Sequence, residues 1–240
     1  AEDGIRDVER SRGLGDVYKR QDLRLAHESA GFVLADADLI LIPCNRGGEE
    51  GVFLVSVDTD GVELEVLDSK LGLRTWPGAR LTLRGLDTDA LSFIPLRSCT
   101  IRSEAGSAIR TAAIALGIIR GVCERTLQYA RNRRLFGQTL EDFEATRMKF
   151  FSFWREMEAG RLLALRAAVD WDKGVEAVPM ALAALVHSLR VAQEVTDEAL
   201  QLHGGYGYFE EMRVAMYYRD AKMLEMISNP LPASMERLWP

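Results

Sequence analysis

The sequence predicts a chain of more than one domain, in which a partial antiparallel β-domain precedes an up-and-down helical bundle. Two patterns indicate this division. Residues 31–96 contain six short apolar runs separated by turn-forming residues, whereas residues 108–227 repeat their apolar residues every three or four positions. The 240 residues, 48% apolar and 28% charged, suffice for one large domain or two small ones.

Composition excludes several classes of function. The net charge of −6 has the wrong sign for a protein that binds nucleic acid or an anionic membrane. The longest uncharged apolar stretch, residues 177–189, is shorter than the ~20 residues of a membrane span, so we expect none. Three cysteines without C-x-x-C spacing indicate neither a disulfide framework nor a structural zinc site. We therefore expect no metal and a reducing, cytoplasmic setting.

The first 21 residues differ from the rest of the chain. They contain five acidic and five basic residues, almost no apolar ones and no helical or strand period. We expect residues 1–21 to be a disordered lead-in that is an artefact of library preparation, which would make the chain a C-terminal fragment. A natural disordered lead-in is the alternative.

Residues 22–103 are expected to form the partial β-domain. The connections between its apolar runs are too short for helical crossovers, so the strands are predicted to be antiparallel. Within residues 62–68, valine and leucine alternate with glutamate, which predicts one buried and one solvated face. No G-x-G-x-x-G follows any run, so a dinucleotide-binding βαβ unit is not indicated. The predicted strands are 31–35, 38–44, 51–57, 62–68, 79–86 and 90–96.

Residues 104–240 are expected to form the helical bundle. Apolar residues at helical spacing predict amphipathic segments, and the predicted helices end near glycines. Long helices joined by short links are normally antiparallel neighbours, which gives an up-and-down bundle. The predicted helices are 108–132, 143–172, 179–202 and 212–227.

Two short stretches carry the specific signals. Residues 131–138 read R-N-R-R-L-F-G-Q, and residues 201–208 read Q-L-H-G-G-Y-G-Y, followed by Y-R-D-A-K at 218–222. These motifs resemble the R-x-x-F-G, Q-x-H-G-G-x-G-Y and R-D-A-K motifs of the flavin-dependent acyl-CoA dehydrogenases, in the same order. The resemblance covers the whole bundle and, more loosely, residues 31–103, which look like the C-terminal part of that family's middle β-domain. The family's N-terminal helical domain and the first half of its β-domain have no counterpart.

The resemblance implies that the bundle contacts FAD. In the family, these motifs touch the adenine and pyrophosphate end of an FAD held mainly by a neighbouring subunit. The chemistry is suitable, because a glycine-rich turn exposes backbone N–H groups and an arginine binds phosphate through two parallel hydrogen bonds. The implied cofactor-binding residues are Arg133, Phe136, Gln201, Gly204 and Gly205.

A purely structural interpretation of these residues remains open. Gly204 and Gly205 could simply end a helix, and Arg133 could cap one with its positive charge. Their combination at the family's spacing favours cofactor contact. His203 is assigned a structural role, because a lone histidine beside a helix terminus usually bonds a backbone carbonyl.

The family's chemistry also needs a general base that removes the α-proton of an acyl thioester. Most members use the Glu of a Y-E-G-T segment, but the Tyr and Glu positions hold Ile227 and Ser228 here. Some branches place the base on the first bundle helix, and that count reaches Ser107. The nearest acids are Glu104 and Glu225, either of which could be an ordinary solvated helix residue. The catalytic residue therefore stays unassigned.

The resemblance implies an acyl-CoA dehydrogenase-family flavoprotein. It would oxidise an acyl-CoA to the 2-enoyl-CoA, pass the electrons to an electron-transfer flavoprotein, and assemble with itself or a paralogue. Because the usual base position holds Ser228, the alternative is a non-catalytic partner subunit of a hetero-oligomeric enzyme. A plain helical interaction module is the third hypothesis, and the paired FAD-contact motifs argue against it.

Overall fold

The computed structural model describes residues 29–87, 89–95 and 100–228, so the segment 1–21 predicted as a lead-in lies outside the described residues. The described chain forms two compact units. The first contains the described residues up to Leu67 together with those from Pro77 to 95. The second contains the segment Asp68–Trp76 and the described residues from 100 to 228.

The first unit consists of β-strands. Its described strands form two three-stranded sheets, ordered β1-β5-β4 and β2-β3-β6, and all pairings within them are antiparallel, as predicted. The division into two sheets was not predicted, because alternation along a strand shows which face is buried but not which strand is the neighbour. The strands are β1 (Ser29–Leu34), β2 (Leu39–Arg46), β3 (Glu49–Ser56), β4 (Val62–Val66), β5 (Gly78–Leu83) and β6 (Ser92–Pro95).

Both sheets contribute to one apolar core in this unit. Phe53 and Val55 on β3 are fully buried, and side chains of β2 and β5 join the same cluster. On β4, Glu63 and Glu65 lie on the solvent side. Glu65 pairs with Arg80 of β5 at 2.8 Å, and Glu63 pairs with Arg84, the residue after β5, at 3.4 Å. The predicted alternation on β4 is confirmed for the exposed Glu63 and Glu65 and the half-buried Val62 and Leu64, but it is wrong at Val66, the last residue of the strand, which is 58% exposed.

The second unit is the predicted helical bundle. The third helix contributes the largest share of buried side chains and packs against the other three. The first helix begins at Thr100 rather than at 108, because Ala105 and Ala108 are buried and extend its apolar stripe by another turn. The helices are α1 (Thr100–Asn132), α2 (Glu144–Asp172), α3 (Val178–His203) and α4 (Val214–Ser228).

Helix α1 is long and apolar enough, between Ala105 and Asn132, to cross a membrane by length and composition alone. Its apolar residues have a different explanation in this structure. Ala112, Ile119 and Val122 are fully buried among the side chains of the bundle. Burial in the bundle thus accounts for these three residues, and 39% of the most apolar stretch of α1 is buried in all.

The segment Asp68–Trp76 packs closely against α4. A Cβ atom at Gly72 would lie 2.2 Å from the backbone oxygen of Arg219, so only glycine fits there. The neighbouring Leu73 N–H donates a hydrogen bond of 2.6 Å to Oδ1 of Asp220. Asp220 of the R-D-A-K motif therefore holds this segment on the helix.

This close packing predicts a large difference between two glycine substitutions. Gly72→Ala is expected to lower the free energy of unfolding by about 1–3 kcal/mol, because backbone atoms must move to admit the methyl group. Gly117→Ala is the matched control: the space around Gly117 in α1 is open, so alanine should stabilise the helix by roughly 0.5–1 kcal/mol. Urea denaturation of both variants measures the difference. Equal effects would show that the segment does not pack on α4 as described.

Candidate functional site

The R-x-x-F-G motif forms a small hairpin after α1. Strands β7 (Arg134–Leu135) and β8 (Gln138–Thr139) pair antiparallel, where the sequence predicted only a polar link. The two residues between them have positive φ, 52° at Phe136 and 86° at Gly137, which is the requirement of a type I′ turn. Asp142 stabilises the end of the hairpin by accepting hydrogen bonds from the backbone N–H and the hydroxyl of Thr139. These hydrogen bonds lower the pKa of the Asp142 carboxyl.

Phe136 lies at the tip of this hairpin with its side chain in solvent. The residue is 97% exposed and adopts a left-handed backbone conformation that non-glycine residues rarely take. Both features cost free energy: the type I′ turn accounts for the backbone conformation, whereas no described residue of the unit covers the ring. Strained residues of this kind concentrate at functional sites. Phe136 is therefore available to contact another molecule.

The glycine-rich motif forms a tight turn at the end of α3. Gly204 ends the helix with φ 56° and ψ −140°, a conformation restricted to glycine, and its N–H bonds the carbonyl oxygen of Gln201. A 3₁₀ turn then runs over Gly204–Tyr208. Gly205 is exposed, and no atom lies within 4 Å of where its Cβ would be. The backbone at Gly205 is thus open to close approach by a ligand.

The structure brings the two motifs together. The guanidinium carbon of Arg133 lies 5.5 Å from the centre of the Tyr206 ring, a distance typical of a cation–π contact. Within the described part of the chain, Arg133 has no carboxylate at ion-pair distance, whereas the nearby Arg131 pairs with Glu141 at 3.2 Å. An arginine without an acidic partner beside an open glycine turn is suited to an anion. We call this the Arg133–Tyr206 surface, formed by Arg133, Phe136, Gln201, Gly204, Gly205 and Tyr206.

His203 has the structural role that the sequence predicted. Its Nδ1 donates a hydrogen bond of 2.9 Å to the carbonyl oxygen of Ala199, and its ring stacks on Tyr129 at 4.2 Å. The side chain is 2% exposed, and its Nε2 has no hydrogen-bond partner among the described residues. Burial lowers the pKa of His203, which keeps the ring neutral.

The lowered pKa of His203 predicts a pH dependence of stability. As the pH falls through the range where an unfolded histidine titrates, the unfolded chain binds the proton first, so the free energy of unfolding should fall. His203→Gln removes this proton uptake and should reduce the loss of stability between about pH 7 and pH 5. Urea denaturation across that range measures both proteins. An identical pH dependence in the two would show that His203 is not the buried titrating group.

A shallow cavity of about 230 Å³ adjoins the Arg133–Tyr206 surface. Its residues come from α1 and from the segment around the glycine-rich turn, which are far apart in sequence and carry no shared motif. Sequence reasoning therefore missed it. The cavity is lined by Arg125, Gln128, Tyr129, Asn132, His203, Glu211 and Met212.

The residues considered as a general base lie on the last turns of α4 and at the start of α1. The Ser228 hydroxyl donates a hydrogen bond of 2.6 Å to the carbonyl oxygen of Leu224. Glu225 accepts a 2.6 Å hydrogen bond from Lys222, both side chains are partly exposed, and this contact raises the pKa of Lys222. Glu225 thus has the contacts of a solvated helix residue. Ser107 is exposed, and the Glu104 side chain lies outside the described residues.

The described side chains were also compared with the requirements of a metal site. Among the residues that the structure describes, no group of three or more His, Cys, Asp or Glu side chains is placed to hold a metal ion. The chemistry available at the Arg133–Tyr206 surface is instead that of a cation, exposed aromatic rings and a glycine backbone that a ligand can approach closely.

Comparisons with known proteins agree with the motifs. The family model described as acyl-CoA dehydrogenase, C-terminal domain, matches residues 105–228. Short-chain specific acyl-CoA dehydrogenase of Bos taurus is 32% identical over 202 residues, covering 82% of this chain and 48% of the relative. The short-chain specific acyl-CoA dehydrogenase of Clostridium acetobutylicum is 28% identical over 219 residues, covering 88% of this chain and 57% of the relative. The chain spans about half the length of the curated relatives it matches.

Solved structures give the same result for the fold. Butyryl-CoA dehydrogenase from Megasphaera elsdenii superimposes with a TM-score of 0.70 at 26% identity, covering 88% of this chain and 56% of that one. The ChsE4-ChsE5 complex from Mycobacterium tuberculosis gives a TM-score of 0.77 at 22% identity, covering 90% of this chain and 60% of that one. At this identity the second comparison shows the fold alone.

Proposed function

The chain belongs to the acyl-CoA dehydrogenase family, and from this premise we propose that its bundle completes the FAD site of a neighbouring subunit in an enzyme that oxidises an acyl-CoA to the 2-enoyl-CoA. The observation that carries the proposal is the Arg133–Tyr206 surface, where both motifs meet. Its residues fit the adenine and pyrophosphate end of FAD. Arg133 lacks a carboxylate partner within the described residues, Gly205 leaves its backbone open, and Phe136 is exposed.

Four residues of this surface would contact the cofactor in the proposal. The Arg133 guanidinium would pair with the pyrophosphate, and the Gln201 amide and the Gly205 N–H would donate hydrogen bonds to the same end. The Phe136 ring would lie against the adenine. The chemistry that a bound FAD would supply is acceptance of the hydride from the β-carbon of the acyl thioester. We propose that an electron-transfer flavoprotein then takes the electrons, as the name of one relative, a caffeyl-CoA reductase-Etf complex subunit, suggests.

A non-catalytic role in a hetero-oligomer is the second candidate, and the contacts of α4 favour it. Loss of the α-proton needs a general base, and the usual base position holds Ser228, whose hydroxyl is bonded to the carbonyl oxygen of Leu224. Glu225, the nearest described acid, is paired with Lys222. In this version the chain completes the FAD site while a paralogue supplies the carboxylate.

Anaerobic mixing with a panel of acyl-CoA thioesters tests both candidates. The protein as its gene encodes it is loaded with FAD, and the flavin absorbance is followed alone and together with a purified paralogue from the same organism. Bleaching by the protein alone supports the enzyme, and bleaching only with the paralogue supports the partner subunit. If neither preparation bleaches with any thioester, acyl-CoA oxidation is wrong for this protein.

If the protein bleaches without a paralogue, Glu225→Gln tests whether Glu225 is the general base. If Glu225 is a solvated helix residue, the variant should bleach at the rate of the parent. If the parent bleaches alone and Glu225→Gln does not, Glu225 is the base and the partner-subunit candidate is excluded. Lys222→Gln is the matched control, because it breaks the same ion pair and leaves the carboxylate in place.

A further inference from the structure

The glycine-rich motif does not specify the residue at position 206. In the pattern Q-x-H-G-G-x-G-Y this position is the x between Gly205 and Gly207, and here it is a tyrosine. The Tyr206 side chain is 53% exposed and contacts a residue of the other motif, Arg133. The contacts of Tyr206, and not the motif, therefore indicate its role.

Phe209 restrains Tyr206 through both its backbone and its ring. The N–H of Phe209 donates a hydrogen bond of 3.1 Å to the carbonyl oxygen of Tyr206. The two ring centres lie 6.3 Å apart with the planes tilted by 48°, within the range of a favourable aromatic pair. The backbone of Tyr206 also lies inside the 3₁₀ turn Gly204–Tyr208. Tyr206 thus presents a ring whose position is already restrained.

Arg133 has a fixed backbone and a charged end without other partners. Its N–H donates a 2.9 Å hydrogen bond to the carbonyl oxygen of Tyr129, and its own carbonyl oxygen accepts one of 2.7 Å from Leu140. Among the residues that the structure describes, only the Tyr206 ring contacts its guanidinium. A cation–π contact attracts the positive charge and leaves the N–H donors for a ligand.

A neutral ring is a better support for a ligand-binding arginine than a carboxylate. Arg131, two residues earlier, is held by Glu141 at 3.2 Å, and that carboxylate would compete with any anion for the guanidinium. It would also repel the anion through its own negative charge. The Tyr206 ring has no net charge, so it can restrain Arg133 without either effect.

We propose that Tyr206 is a positioning residue, whose ring orders the Arg133 guanidinium in the free protein and thereby strengthens binding of the FAD pyrophosphate. This inference rests on the function proposed above and adds a residue that the motifs leave open. An arginine loses much rotamer freedom when a ligand fixes it, and ordering it beforehand removes part of that cost. Tyr206 donates no group to the ligand, so its whole effect passes through Arg133.

Substitutions at residue 206, in the protein as its gene encodes it, test the contact. Tyr206→Leu should weaken FAD binding about two- to fivefold, the usual strength of an exposed cation–π contact, and Tyr206→Phe should leave it unchanged. Tyr208→Leu is the matched control, because Tyr208 lies in the same turn, is 89% exposed and should leave the affinity unchanged. Quenching of flavin fluorescence during titration with FAD gives each dissociation constant.

A double-mutant cycle separates positioning from direct contact with the cofactor. In the Arg133→Ala background, Tyr206→Leu should have no further effect on FAD affinity, because no guanidinium is left to position. If Tyr206→Leu weakens binding by the same factor in both backgrounds, Tyr206 acts independently of Arg133. That result would overturn the proposal.

Pentafluorophenylalanine incorporated at residue 206 tests whether the ring acts through its electrons. Fluorine withdraws electrons from the ring face, so the attraction for a cation is lost while the ring stays in place. FAD affinity should fall to that of Tyr206→Leu. An affinity equal to that of Tyr206→Phe would show that the ring acts by packing alone, and the proposed contact would be wrong.

The Arg133→Ala variant separates this inference from the function on which it rests. If Arg133→Ala does not weaken FAD binding, the proposed FAD site is wrong, and the role of Tyr206 is wrong with it. If Arg133→Ala weakens binding and Tyr206→Leu does not, the FAD site is supported and only the positioning role is overturned.

Discussion

Ser228→Glu is expected to accelerate reduction of bound flavin by an acyl-CoA, in the protein as its gene encodes it, by about 10²–10⁴-fold, which is the usual contribution of a positioned general base. The substitution restores a carboxylate at the position where most of the family keeps its base. In the structure, Ser228 ends α4 and its hydroxyl only closes the helix on the carbonyl oxygen of Leu224. Anaerobic stopped-flow absorbance measures the rate.

Ser228→Gln is the matched control for this prediction. Glutamine has the size of glutamate and also loses the hydrogen bond to Leu224, but it cannot take up the α-proton. The carboxylate is responsible only if Ser228→Glu is fast and Ser228→Gln stays at the rate of the parent. Equal rates for the two variants would show that residue 228 does not face the reacting carbon. If the parent protein reduces its flavin rapidly and Glu225→Gln abolishes that reduction, Glu225 is the general base.

Arg133→Ala is expected to weaken FAD binding by roughly ten- to a hundredfold, because a hydrogen bond to a charged group is worth about 1.5–3 kcal/mol. The alanine removes both the positive charge and the ring contact with Tyr206. Titration of the flavin-free protein with FAD, followed by quenching of flavin fluorescence, gives the two dissociation constants.

The adjacent Arg134 supplies the control. Arg134 is exposed on β7, one residue further along the hairpin, and has the same charge and length. Arg134→Ala should change the affinity for FAD by less than twofold. If both variants weaken binding equally, the effect comes from the general charge of the hairpin, and Arg133 has no specific place in the site.

Much of the fold could be predicted from the sequence because its signals are local. The alternation of Val62, Leu64 and Val66 with glutamates indicates a strand with one buried face, and the glycine pair after His203 indicates the end of α3. The pairing of β1 with β5 joins Ser29 and Leu83, 54 positions apart, and the docking of Gly72 on α4 joins residues 147 positions apart. Neither a period nor a turn signal contains that information.

The sequence indicated which residues form the candidate site, but it did not indicate how they are arranged. The motifs identified Arg133 and the glycine-rich turn, and the structure adds the contact of Arg133 with Tyr206. The hairpin was missed because its strands have only two residues each, too short for any period, although Phe136-Gly137 sits at its tip. Helical spacing of apolar residues also does not show which of them are buried, since Phe151 and Trp154 of α2 are 55% and 57% exposed.

Hydrogen–deuterium exchange with and without FAD tests most directly whether the Arg133–Tyr206 surface holds the cofactor. The protein as its gene encodes it is labelled for seconds to minutes, alone and with saturating FAD. We predict that the amides of the hairpin at 134–139 and of the turn at 204–208 exchange more slowly with FAD, while those of β2 and β3 are unchanged. Protection confined to other segments, with exchange at both motifs unaltered, would contradict the assignment.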